Sequence, residues 1–244
     1  MVRVKRFTKV LVGVSVLGLL LAGCRLTGLE ITPSRLQCRV VSQSDGKPLF
    51  DGGNQCGTAV ASFGVPFGFG SNGAQFRLAA PQTRTGSGTA TDPLVITTEL
   101  QVADQGVNLT QVDTFVDGAT SYDTTITVST FSTEIYPITV YRAADCAVGG
   151  DNGTGALVPN GVSCVASNGE RITWTDLTGG ATRQEGAVGD VFAVIGAGKP
   201  FDNTASTVTV DNAAGLSWTV NIPPSPGSLT LKSRFTYESS GTGS

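Results

Sequence analysis

Along much of this chain apolar and polar residues alternate one by one, which sends successive side chains to opposite faces and predicts β-strands. In "SLTLKSRFTYES", Leu229, Leu231, Phe235 and Tyr237 fall on one face, and Thr230, Lys232, Arg234, Thr236 and Glu238 on the other. "LSWTVNI" repeats the pattern with Leu216, Trp218, Val220 and Ile222, and the turn-like "DNAAG" between it and "STVTV" predicts a hairpin. "PLVITTELQV", "TTITVST" and "ITVYR" continue in the same style, with Leu94, Ile96, Leu100 and Val102, then Ile126 and Val128, then Ile138 and Val140. Many short strands separated by frequent turns predict an all-β chain folded as an antiparallel β-sandwich. One stretch departs from the alternation. In "GAVGDVFAVIGAG", Val188, Val191, Phe192 and Ile195 recur at helical spacing and predict one short helix on the sandwich. Gly189, Gly196 and Gly198 weaken that helix, which keeps a strand through "DVFAVIG" as the alternative.

The amino-terminal pattern is of another kind. Arg3, Lys5, Arg6 and Lys9 precede the apolar run "VLVGVSVLGLLLA", which is shorter than the roughly 18 residues a membrane-spanning helix needs. Basic residues followed by a short apolar run predict an export signal over residues 1–23. The run closes on "LAGC" (Leu21, Ala22, Gly23, Cys24), which resembles the lipobox of bacterial lipoproteins. That resemblance implies a diacylglycerol on the Cys24 thiol, cleavage before it, and usually a further acyl chain such as palmitate on the new amino terminus. Residues 25–37 then form the expected tether, at most about 45 Å long at ~3.4 Å per residue.

Five cysteines are an odd number for an exported chain, and lipid on Cys24 leaves four. Cys38 and Cys56 are 18 residues apart, as are Cys146 and Cys164. Three pairings are open, of which two local bridges of equal span are the simplest. A zinc site competes poorly, since no CxxC spacing exists and an exported chain meets an oxidising compartment. The Gly- and Asn-rich segment between Ala143 and Gly169 holds the second Cys pair and is expected to be a loop pinned by its bridge.

Composition narrows the function. Gly (32) and Pro (11) in 244 residues are frequent yet below the range of disordered chains, and 40% apolar residues suffice for a substantial core. Removing residues 1–23 takes four of the sixteen basic residues and none of the nineteen acidic ones, which leaves a net charge of −7. Such a chain is not built to hold nucleic acid, nor to lie on an anionic membrane through a basic patch. Lipid alone would anchor it. The absence of histidine removes Ser-His-Asp triads, Cys-His pairs and imidazole acid–base chemistry. Carboxylates, Tyr and Lys remain for catalysis; two suitably spaced carboxylates would suffice for a glycosidase, but no pair stands out and no catalytic residue is assigned.

The remaining motifs are weak. "GFGSNG", from Gly68 to Gly73, has dinucleotide-loop spacing, but a strand-like "AQFRLAAP" follows where a helix is required. Ser44 and Lys47 have the S-x-x-K spacing of serine acylases without that family's other motifs. Asp145, Asp151 and Asn152 offer oxygen ligands for calcium, although Asp and Asn also favour ordinary turns. No other cofactor is expected. Trp174 and Trp218 sit on apolar strand patterns, which favours core packing over sugar stacking.

The succession "TSYDTTITV", "ITVYRAADC", "GVSC", "RITWTDL", "GDVFAVIGAGKPF" and "DNAAGLSWTV" resembles a β domain of exported bacterial cell-surface proteins whose function is uncharacterised. The resemblance covers about residues 90–237. It implies a surface module with a disulfide-pinned loop after the "YRAADC" strand, and no transferable chemistry. The expected organisation is a signal over 1–23, Cys24 and tether over 24–37, and one sandwich over 38–244. Within it, residues 38–90 either add strands or form a separate layer. The expected function is a lipid-anchored, extracytoplasmic envelope protein that contacts an envelope protein or polysaccharide through sandwich loops. A carbohydrate-active enzyme using two carboxylates is the alternative.

Overall fold

The computed structural model describes residues 25–51, 55–69, 75–102, 105–150 and 152–240. Cys24, the export signal, Asp151 and Gly70 to Gly73 lie outside the described residues. The fold is all-β, with two layers of antiparallel strands and one helix. The first layer holds β1 (Leu26–Thr32), β2 (Gln37–Ser42), β3 (Cys56–Ser62) and β4 (Val65–Gly68). It continues through β10 (Tyr136–Asp145), β14 (Thr182–Ala187) and most of β15 (Val210–Ile222). The second is built from β7 (Leu94–Val102), β8 (Val107–Phe115), β9 (Ser121–Thr130), β16 (Ser228–Glu238), β13 (Arg171–Asp176), β12 (Gly161–Ala166) and β11 (Asn152–Val158). Two short strands, β5 (Arg77–Leu78) and β6 (Thr83–Thr85), edge β7. The layers join through β15, whose Val210 and Asp211 pair with β11 while the rest of the strand runs between β10 and β14.

The alternating segments form the strands they predict. Along β9 every second residue is buried, and β16 turns Leu231, Phe235 and Tyr237 inward. These side chains join one core with Val60, Leu109, Val140, Trp174 and Trp218, so both tryptophans are interior residues.

Some inward positions are polar, and they form one connected group. Arg142 on β10 is fully buried; its guanidinium donates to Thr58 Oγ1 (2.9 Å) and Tyr122 Oη (3.2 Å) and lies 5.2 Å from the Trp174 ring centroid. Thr58 donates to Gln111 Oε1 (2.6 Å). Buried Asp113 accepts from Gln111 Nε2 (2.7 Å) and Thr124 Oγ1 (2.6 Å).

The helix α1 (Val188–Gly196) forms as its spacing predicts, burying Val191 and Ile195. They pack on Ala59, Ala61, Tyr141, Ala143 and Ala213, on the outer face of the first layer, in a second core. Gly198 ends the helix rather than weakening it. At φ +66° it donates to Ile195 O, while Lys199 donates to Val194 O, the paired bonds of a Schellman stop.

Three expectations need correction. "DNAAG" is not a hairpin turn but part of β15, because only small residues fit there: a Cβ on Gly215 would lie 2.5 Å from Ala143 Cβ. The expected tether is folded: Leu26, Leu29 and Leu36 are buried, and Leu26 N–H donates to Ala119 O. Residues 26–51 and 55–68 thus extend the first layer as β1 to β4 and share its core. The Gly-rich segment after Cys146 is only partly a loop, since β11 and β12 form a hairpin closed at Asn160 (φ +53°). Gly155 is needed within β11 because the Glu185 carboxylate fills the space of a side chain.

The cysteines pair as Cys38–Cys56 and Cys146–Cys164, with Cα atoms 5.1 and 6.5 Å apart. The first crosses directly paired positions of β2 and β3. Replacing Cys38 and Cys56 by serine is expected to lower the unfolding free energy by about 3 kcal/mol, measured by urea denaturation. No change would mean that this bridge contributes nothing to the fold.

Candidate functional site

The strands run between two ends of the sandwich. At one, Leu26 pairs with Ser42, Gln43 N–H donates to Arg25 O, and the Val116–Ala119 turn closes on Leu26. At the other lie the Phe63–Gly64 turn, residues 131–135 and residues 223–227, with Ser225 N–H bonded to Ser132 O.

A cavity of about 610 Å³ opens at the Leu26 end. Ser42, Asp45, Lys47, Phe50 and Asp51 line it from the β2–β3 connection, Asn168 and Glu170 from the β12–β13 turn, and Tyr237 from β16. Residues 147–150 complete it from behind the second disulfide. The wall is locally well determined. Ser42 N–H bonds Lys47 O and Gly46 N–H bonds Ser42 O, which closes the turn carrying Asp45. Asn168 Oδ1 accepts the Glu170 N–H (2.9 Å), and Tyr237 Oη donates to Glu170 Oε1 (3.4 Å). Gly149 is required, because at φ +65° a Cβ would sit 2.7 Å from both Ala166 Cβ and Asn168 Oδ1. Partial burial pushes Asp45 up, but the Lys47 N–H, the Ser42 hydroxyl and the Lys47 ammonium 3.4 Å away together hold it below its ordinary value. Three carboxylates, one ammonium and one phenol thus face a single hollow, a set suited to a hydroxylated or cationic ligand.

This convergence escaped the sequence reading, which found no carboxylate pair. The available signal was position relative to cysteine: Asp45 and Asp51 lie inside the first disulfide loop, and Glu170 six residues beyond Cys164. Ser44 and Lys47 lie on one turn, with Ser44 bonded to Ser42 and Lys47 paired with Asp45. Gly68 ends β4, and the next described elements are the short strands β5 and β6. Of the calcium candidates, Asp145 is buried at the end of β10 and Asn152 is exposed at the start of β11, while Asp151 lies outside the described residues. Among the described residues no three Asp, Glu, Cys or His side chains gather as a metal site.

A fourth carboxylate is enclosed elsewhere. Glu185 on β14 accepts from Asn212 Nδ2 (2.7 Å) and Ser206 N–H (2.8 Å), both neutral donors. Burial raises its pKa.

No family model matches this chain, and no curated protein does. Among solved structures it is similar to Slr1438 protein from Synechocystis sp. PCC 6803, with a TM-score of 0.49 at 8% identity over 89% of this chain and 96% of that one. HI1317 aligns with a TM-score of 0.41 at 10% identity over 86% and 88%. A candidate aldose 1-epimerase from Escherichia coli K12 aligns with 0.40 at 8% identity over 88% and 99%. Likenesses this distant say nothing about what this chain binds.

The Glu185 geometry has a pH signature. Because burial raises its pKa, the folded chain keeps a proton that the unfolded chain releases near 4.5. Its contribution to stability is therefore complete below that pH and is lost as pH rises through the raised value. Glu185→Gln is expected to reduce the fall in melting temperature from about pH 4.5 to neutrality. Equal falls in both proteins would contradict this.

Proposed function

We propose that this chain is a bacterial lipoprotein, exported, acylated at Cys24, and holding its sandwich on the outer side of a membrane. There it binds an envelope polysaccharide or protein through the turns at the Phe63 end. Support for anchoring comes from the "LAGC" sequence and from two disulfides, which suit an oxidising compartment. Among the described residues no helix is long and apolar enough to cross a membrane. Only Arg25 separates Cys24 from β1, so an acylated chain would keep its Leu26 end against the bilayer. The ten residues of β9, at ~3.4 Å each, would then put the other end about 30 Å away.

The observation that carries the binding role is the exposure of large apolar side chains at that far end. Phe63 (70%), Ile135 (63%) and Phe131 (64%) lie on its turns, and Val65 (48%) opens β4 beside them. A soluble fold gains nothing from apolar tips, whereas a recognition surface does. Cys24→Ala is expected to leave the fold intact, abolish incorporation of labelled palmitate and release the protein from the membrane fraction. Continued retention of the variant would refute the anchor.

The cavity favours a second reading, carbohydrate hydrolysis by two carboxylates drawn from Asp45, Asp51 and Glu170. On that reading Asp51→Asn or Glu170→Gln lowers the release of reducing ends from envelope polysaccharide at least a hundredfold. An unchanged rate in both variants removes it.

A further inference from the structure

Phe63 occupies an expensive position. It and Gly64 form a two-residue hairpin between β3 and β4, both with positive φ (48° and 77°). This geometry favours Asn-Gly, and a bulky residue in the left-handed region is disfavoured. Burial does not offset that strain, since the side chain is 70% exposed.

The ring is nonetheless supported. It packs edge-on against Tyr136, with centroids 5.1 Å apart and planes at 71°. The Tyr136 hydroxyl donates to Ser62 Oγ (2.8 Å), which donates in turn to Gln105 Oε1 (3.0 Å). Beside the ring lies a hollow of about 180 Å³ on the outer face of the first layer, where α1 leaves the sheet uncovered. Phe63, Gly64, Pro137, Thr139, Thr219 and Gly198 line it, with the two threonine hydroxyls 3.3 Å apart. A Cβ on Gly198 would approach Gly64 Cα to 3.0 Å, narrowing the hollow. Among the described residues no charged side chain borders it.

We infer that this hollow binds one pyranose ring of a neutral polysaccharide. The apolar face of the sugar rests on Phe63, and its hydroxyls meet Thr139 and Thr219. An aromatic ring beside paired hydroxyls matches the two-sided chemistry of a sugar, apolar on its C–H face and polar at its rim. The two threonine hydroxyls bond each other, and an ionic ligand would meet no counter-charge among the described residues. The inference rests on the binding role proposed above, with polysaccharide as its partner, and is independent of acylation at Cys24.

The test uses the full chain in detergent micelles, titrated with neutral gluco-, manno-, galacto- and xylo-configured hexasaccharides. Saturable binding to at least one is expected, weakened at least tenfold by Phe63→Ala and by Thr219→Val. Phe63→Asn, which suits the left-handed turn, is expected to weaken binding equally while raising the melting temperature. That combination separates a ligand-binding ring from a structural one. Binding to none of the four probes overturns the inference. Binding that survives Phe63→Ala removes this site while leaving polysaccharide as a partner, and a melting temperature lowered by Phe63→Asn assigns the ring to the fold instead.

Discussion

A guanidinium sealed inside a β-sandwich is the constraint around which this molecule is arranged. Arg142 has no solvent to share its charge, so its surroundings must supply what water would: the Thr58 and Tyr122 oxygens, the face of Trp174 and the field of Asp113. Burial pushes Asp113 up and Tyr122 up to about 12, and in both the Arg142 charge works against that rise. Each member therefore needs the others, because removing either charge would leave its partner uncompensated. The residues come from β3, β8, β9, β10 and β13, in both layers. A one-residue slip of any of these strands would turn its polar member outward, so the network selects one register across the sandwich. Tyr122 also reaches Cys38 Sγ at 3.6 Å, which ties the network to the first disulfide.

Where one face of a strand is apolar and the other polar, the chain announced its structure. β7, β9 and β16 follow their alternation, α1 follows its helical spacing, and the equal cysteine intervals correspond to the two bridges. Legibility failed where both faces of a strand are covered. β15 passes between the interior and α1, so its first half holds a run of small residues, and "DNAAG" looks like a turn because crowding rather than polarity chose it. β1 looks like a tether in the sequence because Gly28 and Pro33 interrupt a short pattern whose leucines find their partners far along the chain. The acids of the cavity were invisible for a related reason. Asp45, Asp51 and Glu170 occupy turns, where Asp and Glu carry no periodic signal, and only the folded strands bring those turns together.

The two ends of the sandwich differ in chemistry. The Leu26 end has the larger hollow and a mixed set of charges close to where the chain leaves Cys24. The Phe63 end has apolar tips and a smaller hollow with no charged side chain among the described residues. Anchoring the first end through lipid would leave the second free to meet material at a distance set by strand length. The cavity turn is closed by backbone hydrogen bonds and the Phe63 ring is braced by Tyr136.

The order in which the strands interleave bears on how the chain reaches this state. β15 inserts between β10 and β14 and reaches β11, while β16 lies between β13 and β9. Until residues beyond Val210 are available, strands made much earlier keep bare hydrogen-bonding edges, the form in which β proteins most readily aggregate. A chain that has not yet supplied β15 and β16 would therefore keep bare edges on β9, β10, β11, β13 and β14. A product cut short before Val210 would be left open to proteases and chaperones.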